Sequence, residues 1–318
     1  MKKLAVAVPN LTEEHRRKIR EAAERNGFEL RFCEGEKDAA FMQTAEVVFG
    51  HLPEVAAVSK TLEWICTPYA GVDQFLAPEA FANPEAMLSN SSGAYGVTIA
   101  EHTVMVLLEL LRRQPDYRRI VAAREWKRDL AVRSIRDSRI MLLGTGDIGQ
   151  ETAIRLRAFS PASLTGVNRS GSNPRELFDR VLTKDTWEAA LPETEVLIVS
   201  LPGTKEACHM LGKKQLALLP EGAVVINVGR GSVIDQAALA EELRKGRLWA
   251  GLDVFEREPL APGDPEWDLE NLLITPHTAG NMTLAYTVNR IVELFTEDLD
   301  GFAAGKKPVR LVDRQRGY

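Results

Sequence analysis

The second half of this chain carries a series of short apolar runs, and a turn or a helical pattern follows nearly every one of them. The runs read "SRIMLLG", "SLTGV", "EVLIVSLP", "AVVINVG", "WAGLDVF" and "NLLITPH". A second series opens the chain, with "LAVAV", "FELRFC", "EVVFG" and "EWICTPYAGVD". Near-continuous apolar strands that alternate with helices are typical of parallel sheets covered on both faces. The sequence therefore predicts an α/β fold with two strand series.

Length and composition agree with a folded protein of two domains. The chain has 318 residues, of which 45% are hydrophobic and 27% charged. The net charge of -5 is spread along the chain without a basic stripe, so nucleic acid and anionic membranes are not expected as partners. No stretch approaches the ~20 consecutive apolar residues that a membrane-spanning helix needs.

The cysteines and the first apolar run indicate where the protein works. The chain has three cysteines, an odd number, and they lie far apart without the spacing of metal ligands: Cys33, Cys66 and Cys208. They favour buried thiols in a reducing compartment rather than disulfides. Pro9 ends the first apolar run early, so this run is interpreted as a strand and not as a signal peptide. We expect a cytoplasmic protein with no bound metal.

Three helical segments bear on the order of the domains. In "TEEHRRKIREAAERNG", Thr12 is placed to cap a helix and Gly27 to stop it. The segment "VTIAEHTVMVLLELLRR" is a long amphipathic helix, followed by a loop around Trp126. The last segment, "NMTLAYTVNRIVELFTEDLDGFAAG", reads as one long helix that ends near Gly301 or Gly305. A chain that returns to its first domain in this last helix would explain the order of the segments.

The strongest local motif is "LLGTGDIGQETAIRL", in which a strand runs into Gly144-x-Gly146-x-x-Gly149 and a helix follows. This context is the one that a dinucleotide-binding fingerprint requires. Gly144 permits the tight turn, Gly146 lets the backbone approach a pyrophosphate, and Gly149 lets helix and strand pack closely. The helix N-terminus supplies N–H groups for the phosphates. The alternative is a glycine-rich turn without a ligand.

Three polar residues follow later strands, at the edge of the predicted sheet where ligands bind. Arg230 stands in "NVGRGSVID", Glu258 in "GLDVFEREP" and His277 in "LLITPHTAG". Taken singly, these residues have plainer interpretations. Arg230 would be a surface arginine in a turn, Glu258 an exposed loop carboxylate, and His277 a structural or solvated histidine. Together they indicate a cation that binds a substrate carboxylate and a histidine–carboxylate acid/base pair. Beside a dinucleotide fold, such a set indicates reduction of a 2-keto acid.

Several spaced motifs resemble the D-isomer-specific 2-hydroxyacid dehydrogenase family, which includes glyoxylate/hydroxypyruvate reductases and phosphoglycerate dehydrogenases. They are "YAGVD", "VTIAEH", "GTGDIG", "SLPGT", "NVGRGSVID", "GLDVFEREPL" and "TPHTAG". The resemblance implies that Arg230, Glu258 and His277 are the catalytic residues and that Arg230 also binds substrate. It implies that Asp253 holds the nicotinamide amide. Further cofactor contacts would come from Gly144, Gly146, Asp147, Ile148, Gly149, Leu201, Pro202, Val228, Gly229, His277 and Gly280.

The same resemblance has implications for architecture and assembly. It implies two doubly wound parallel-sheet domains, with a Rossmann-type dinucleotide-binding domain (97–283) inserted in a flavodoxin-like substrate domain (1–96 and 284–318). It also implies a homodimer in which the loop through Arg124, Trp126 and Leu130 reaches across to the partner. A tryptophan with a purely local packing role is the alternative for Trp126. The alternative for function is a non-enzymatic nucleotide-sensing protein on the same fold, against which the three retained catalytic residues argue.

The substrate loop follows the family pattern with one departure. The resemblance implies that Gly71 and Val72 bind the substrate carboxylate through backbone N–H groups. Tyr69 stands where the family often has a smaller residue, and its ring would limit or stack on the C3 group of the substrate. It is equally able to serve only as a packing residue between the domains. His51, after "VVFG", falls near the loop that faces substrate in this family.

The stretch "VNRSG" bears on the choice of cofactor. Asn168 lies close to the position ~20 residues after the fingerprint where an acid would bind the ribose hydroxyls. An asparagine there does not repel a 2′-phosphate and could donate to it, while Arg169 and Ser170 offer a charge and a hydroxyl. We therefore predict NADP as the preferred cofactor, with NAD as the alternative. A polar β-turn chosen only for its turn residues is the competing interpretation.

Overall fold

The computed structural model describes residues 1–173 and 175–317. The chain divides into two compact units. Unit 1 is Met1–Tyr95 together with the segment from Asn281 onward, and unit 2 is Gly96–Gly280. Within the described ranges, no helix has both the length and the apolar character needed to cross a membrane.

Unit 1 is built on a five-stranded sheet in which every pair of neighbouring strands is parallel. The order β2-β1-β3-β4-β5 is that of flavodoxin-like folds, so the predicted fold class is confirmed for this unit. Apolar side chains such as Leu4, Val48 and Ile65 are buried in this sheet. The strands are β1 (Lys2–Ala7), β2 (Phe28–Phe32), β3 (Val47–Gly50), β4 (Trp64–Cys66) and β5 (Met87–Ser89).

Four α-helices belong to unit 1 in the part of the chain that the structure describes: α1 (Glu13–Arg25), α2 (Ala39–Thr44), α3 (Pro53–Ala56) and α9 (Ala285–Ala303), numbered in chain order over both units. The predicted cap of α1 is confirmed, because the Thr12 hydroxyl accepts a hydrogen bond from the His15 N–H at 3.3 Å. Gly27 follows α1 with a positive φ of 70°, as a stop signal requires.

Helix α9 completes the core of unit 1. The Phe295 ring stacks on Phe49 of β3 with ring centroids 3.9 Å apart, and it lies 5.6 Å from Trp64 of β4. The Arg25 guanidinium of α1 makes two hydrogen bonds to the Asp300 carboxylate of α9, at 2.9 and 2.7 Å. The helix begins at Ala285, later than the predicted start in "NMTLAYT", because residues 281–284 form turns.

Unit 2 is built on a seven-stranded sheet of order β12-β11-β10-β9-β6-β7-β8, with parallel neighbours throughout. The first strand of this unit along the chain, β6, lies between β7 and β9, and later strands are added on both sides of it. This is the doubly wound Rossmann arrangement that the sequence predicted. The strands are β6 (Arg139–Leu143), β7 (Ser163–Val167), β8 (Arg180–Leu182), β9 (Val196–Val199), β10 (Val224–Asn227), β11 (Trp249–Leu252) and β12 (Leu272–Ile274).

The α-helices of unit 2 are α4 (Gly96–Leu111), α5 (Gln114–Ala122), α6 (Asp147–Arg157), α7 (Lys213–Leu218) and α8 (Gln236–Arg244). The predicted long helix ends at Leu111, and Arg113 then takes a positive φ of 57° before α5. After α5 the chain runs without a helix or strand to residue 138, and Trp126 in this stretch is 94% exposed.

Candidate active site

The three polar residues singled out from the sequence follow three neighbouring strands of unit 2. Arg230 comes after β10, Glu258 after β11 and His277 after β12. Since these strands are parallel, their carboxyl ends meet at one edge of the sheet. The structure therefore places all three residues in adjacent loops of the same unit, at the edge where α/β proteins bind their ligands.

His277 and Glu258 form a direct pair. The Nδ1 atom of His277 lies 2.6 Å from Oε2 of Glu258, and Oε1 of Glu258 accepts the Phe255 N–H at 2.9 Å. The two side chains are 52% and 35% exposed, so the pair lies at the surface of its unit. Holding Nδ1 in this way orients the ring and leaves Nε2 as the nitrogen for proton exchange.

A buried carboxylate, Asp253, holds the loop that carries His277. Its side chain is 3% exposed. Its Oδ1 accepts the Thr275 hydroxyl at 2.6 Å and the Thr278 N–H at 2.9 Å, and its Oδ2 accepts the Ala279 N–H at 3.1 Å. The His277 N–H donates to the Asp253 carbonyl at 2.8 Å. This network accounts for the positive φ of 53° at His277, a conformation that a histidine rarely adopts without support.

Two members of this network were missed by sequence reasoning. Thr275 is the first residue of the "TPHTAG" motif and His102 the last of the "VTIAEH" motif on α4, but neither motif indicated that the two residues meet. The His102 Nε2 atom lies 3.1 Å from the Thr275 Oγ1 atom. Burial lowers the pKa of His102, although nearby Asp253 acts in the opposite direction.

Arg230 stands between two glycines because neighbouring loops approach closely there. A Cβ atom on Gly231 would lie 2.0 Å from the carbonyl carbon of Phe255, so no side chain fits at this position. The contact joins the loop after β10 to the loop after β11, which carries Glu258. The half-buried Arg230 donates to the Gly229 carbonyl at 2.9 Å, and its own carbonyl accepts from the Asn227 amide at 2.9 Å.

The glycine fingerprint has the geometry of a dinucleotide cradle. Gly144 has a positive φ of 102°, and a Cβ atom on Gly149 would lie 2.1 Å from the Gly144 carbonyl oxygen. These values confirm the tight turn and the close helix–strand packing that the sequence predicted. A Cβ atom on Gly146 would meet nothing within 4 Å, which leaves space beside the N-terminus of α6. The residues present therefore fit the pyrophosphate of a bound dinucleotide.

The other expected cofactor residues lie in helix α6 and in loops at the carboxyl edge of the same sheet. Asp147 and Ile148 lie in the first turn of α6, and the Asp147 carboxylate accepts the Gly96 N–H of α4 at 2.8 Å. The others follow the carboxyl ends of β9, β10 and β12 and belong to the same unit: Leu201, Pro202, Val228, Gly229 and Gly280.

The loop after β7 is shaped by the side chain of Asn168. Its Nδ2 donates to the Thr145 hydroxyl at 2.7 Å and to the Ser172 carbonyl at 2.9 Å, and its Oδ1 accepts the Gly171 N–H at 2.7 Å. Both amide hydrogens are thus engaged within the protein, so a bond from Asn168 to a ligand would require one of these to break. The geometry favours Asn168 as the residue that shapes the loop. The Ser170 hydroxyl also bonds within this loop, 2.7 Å from the Ser172 hydroxyl, and both Arg169 and Ser170 are exposed.

The expected substrate residues lie in unit 1, at the carboxyl ends of β3 and β4. His51 lies 2.8 Å from the Thr67 hydroxyl through Nδ1 and 3.3 Å from Gln74 through Nε2. The Tyr69 ring meets the His51 ring edge-on at 5.0 Å. Gly71 and Val72 follow in the same loop, half-buried and buried respectively. Burial lowers the pKa of His51, which favours its neutral form.

A doubly wound sheet with a glycine cradle on its first strand, and a histidine–carboxylate pair at its carboxyl edge, defines a nicotinamide-dependent oxidoreductase. The comparisons with known proteins give the particular family. The family model described as D-isomer specific 2-hydroxyacid dehydrogenase, NAD binding domain, matches residues 104–279. These residues fall within unit 2. The chain belongs to the D-isomer-specific 2-hydroxyacid dehydrogenase family, and the predicted family and enzyme class are confirmed.

Individual relatives are similar over most of the chain. A glyoxylate/hydroxypyruvate reductase B from Pectobacterium atrosepticum is 33% identical over 76% of this chain and 72% of its own. A family member from Aeromonas salmonicida is 28% identical with a TM-score of 0.87, covering 98% of this chain and 99% of its own. An NADPH-dependent glyoxylate/hydroxypyruvate reductase from Sinorhizobium meliloti, solved with NADP and sulfate, is 26% identical with a TM-score of 0.81 and full coverage of both chains.

Proposed function

We propose that this enzyme reduces a small 2-keto acid to the D-2-hydroxy acid and prefers NADP(H) to NAD(H). The observation that carries the proposal is the His277–Glu258 pair at 2.6 Å, in loops adjacent to that of Arg230. All three loops belong to a sheet whose first strand enters a dinucleotide cradle. An acid/base pair, a cation and a nicotinamide site are the groups that this reduction needs.

Each residue has a defined part in the proposed reaction. When bound, the nicotinamide ring supplies the hydride that adds to C2 of the keto acid. Arg230 grips the substrate carboxylate with its guanidinium and polarises the carbonyl group. Protonated His277 gives its proton from Nε2 to the carbonyl oxygen, while Glu258 orients the ring and supports its charge. In the direction of oxidation, neutral His277 takes the same proton back.

The proposed preference for NADP rests on the loop after β7. No carboxylate stands at the first position after this strand, so a 2′-phosphate meets no repulsion from a side chain there. Asn168 shapes the loop through its bonds to Thr145, Ser172 and Gly171, and the exposed Arg169 and Ser170 would supply a cation and a hydroxyl. The relative from Sinorhizobium meliloti that was solved with NADP supports this choice by analogy. NAD remains the alternative cofactor.

The proposed substrate contacts come from unit 1, which we assign as the substrate domain, with unit 2 as the dinucleotide-binding domain. Gly71 and Val72 would bind the substrate carboxylate through their N–H groups. His51 and Tyr69 would limit the C3 group, and burial disfavours a charge on His51. A small and uncharged C3 group suits such a surface, in line with the relatives named glyoxylate or hydroxypyruvate reductase.

Assembly and location complete the proposal. The 94% exposure of Trp126 in the stretch after α5 suits a residue that a partner subunit covers, so we propose a homodimer in which Arg124, Trp126 and Leu130 contribute to the interface. Cys33 and Cys66 are buried thiols and Cys208 is an exposed one, which suits a reducing cytoplasm.

The proposal is tested by a panel of small keto acids, each assayed with NADPH and with NADH by the absorbance of the reduced nicotinamide. We expect turnover of glyoxylate or hydroxypyruvate, with kcat/KM at least about tenfold higher for NADPH. Arg169→Ala should lower that ratio while leaving kcat with NADH unchanged. No turnover of any keto acid would overturn the reaction, and an NADH-preferring wild type would overturn the cofactor assignment.

A further inference from the structure

A hydrogen-bonded chain links helix α4 to the buried carboxylate of Asp253. The Thr275 hydroxyl donates to Asp253 Oδ1 at 2.6 Å, so it must accept from the His102 Nε2 atom at 3.1 Å. His102 therefore carries its hydrogen on Nε2 in the neutral form. The His102 side chain is 13% exposed and that of Asp253 is 3% exposed, so these hydrogen bonds are shielded from water. Hydrogen bonds in such surroundings fix the orientation of a group firmly.

The acceptor sites of Asp253 are nearly all in use. A carboxylate has about four lone-pair sites, two on each oxygen. Among the residues that the structure describes, Thr275 and the Thr278 N–H occupy the two sites on Oδ1, and the Ala279 N–H occupies one on Oδ2. One acceptor site therefore remains on Oδ2. Its direction depends on the rotation of the carboxylate, which the bond from Thr275 helps to fix.

We propose that Thr275 and His102 are positioning residues, which lock the Asp253 carboxylate so that the remaining site on Oδ2 accepts the carboxamide N–H of the nicotinamide. The inference rests on the proposed function, together with the role that the family resemblance implies for Asp253, which is to hold that amide. Neither residue acts on the reacting atoms. His102 orients the Thr275 hydroxyl, and Thr275 in turn orients the carboxylate. The loop of His277 keeps its separate backbone bond to the Asp253 carbonyl when the Thr275 hydroxyl is removed.

The test compares two cofactors that differ only in this amide. NADP⁺ has a carboxamide at C3 of its ring, whereas 3-acetylpyridine adenine dinucleotide phosphate has an acetyl group that cannot donate. Isothermal titration calorimetry gives Kd for both cofactors in the wild type, Thr275→Val and Thr275→Ser. Valine has the shape of threonine without its hydroxyl, and serine keeps the hydroxyl as the matched control. His102→Leu and His102→Gln form a second pair, since glutamine can keep a donor near the Nε2 position.

We expect the wild type to bind NADP⁺ about tenfold more tightly than the acetyl analogue, the effect of one charge-assisted hydrogen bond. In Thr275→Val this ratio should fall towards one, and Thr275→Ser should restore most of it. His102→Leu should lower the ratio less, and His102→Gln less still. A role in folding alone would weaken both cofactors equally and leave the ratio unchanged in Thr275→Val, which would overturn the inference. A wild type that does not discriminate between the two cofactors would instead overturn the role assigned to Asp253.

Discussion

Replacing Asn168 by aspartate should turn the cofactor preference towards NADH. The new carboxylate would stand at the end of β7, where the ribose of a bound dinucleotide is expected. Two unit charges ~4 Å apart in water repel by about 1 kcal/mol, and a phosphate monoester carries about 1.5–2 negative charges near pH 7. The penalty for NADPH is therefore ~1.5–2 kcal/mol, or about 10–30-fold in kcat/KM.

The structure also limits what this substitution does to the fold. Aspartate keeps the acceptor for the Gly171 N–H but loses the two donors to Thr145 and Ser172. The Thr145 hydroxyl can turn and donate to the new carboxylate, and the loop around the exposed Ser172 admits water. The free energy of unfolding should then fall by about 1 kcal/mol or less.

The assay is the ratio of kcat/KM for NADPH over NADH in the wild type, Asn168→Asp and Asn168→Ser. Serine removes the two amide donors, and also the acceptor of the Gly171 N–H, without adding a charge, so it gives an upper bound for the effect of loop shape alone. We expect a modest change for serine and the full 10–30-fold decrease for aspartate. Equal ratios in the two variants would refute the electrostatic reasoning and assign the whole effect to the shape of the loop.

Three further predictions test other parts of the molecule. His277→Ala should lower turnover about 10²–10⁴-fold, because the proposed reaction loses its proton donor, and near wild-type turnover would contradict that role. Asp300→Asn should lower the free energy of unfolding by about 0.5–1 kcal/mol at pH 7 in urea titrations. The hydrogen bond from Arg25 holds the pKa of Asp300 below its usual value in the folded state, and the effect is small because both side chains are partly exposed. That stability is present above the pKa of the unfolded state, so the difference between variant and wild type should shrink as the pH falls below about 4, and a difference that persists there would argue against the pair. Light scattering at micromolar concentration should give the mass of a dimer, and Trp126→Ala should weaken the association; a monomeric wild type would contradict the proposed interface.

The elements that sequence reasoning found are those with a strong local pattern. The apolar runs that became β6, β9 and β10 are buried on both faces apart from the exposed Arg139 at the start of β6, so nearly every position in them is under the same constraint. The strands that it missed, β5 and β8, have three residues each and no recognisable motif follows them, whereas β4 and β12 are equally short but lead into "YAGVD" and "TPHTAG". Helix α5 was also missed, because the left-handed turn at Arg113 that separates it from α4 has no glycine to mark it.

The same limit applies to the candidate site. His277, Glu258 and Arg230 could be named in advance because each follows a recognisable strand and matches a motif. The contact between His102 and Thr275 could not be named in advance, since the two residues are separated by most of a domain and only the fold brings them together. Likewise, the engagement of the Asn168 amide by Thr145 depends on how the loops after β6 and β7 meet. Local sequence identifies groups that do chemistry better than groups that hold them in place.

The route of the chain through its two units has a consequence for synthesis. The ribosome makes β1 to β5 first, but Phe295, which stacks on Phe49, is nearly the last core residue to emerge. Unit 2 is a single uninterrupted segment, so all of its residues are available before α9 exists. Until then the faces of Phe49 and Trp64 that Phe295 covers remain open. We therefore expect the N-terminal sheet of the nascent polypeptide to expose part of its apolar core until α9 is made, and exposed apolar surface of this kind favours aggregation.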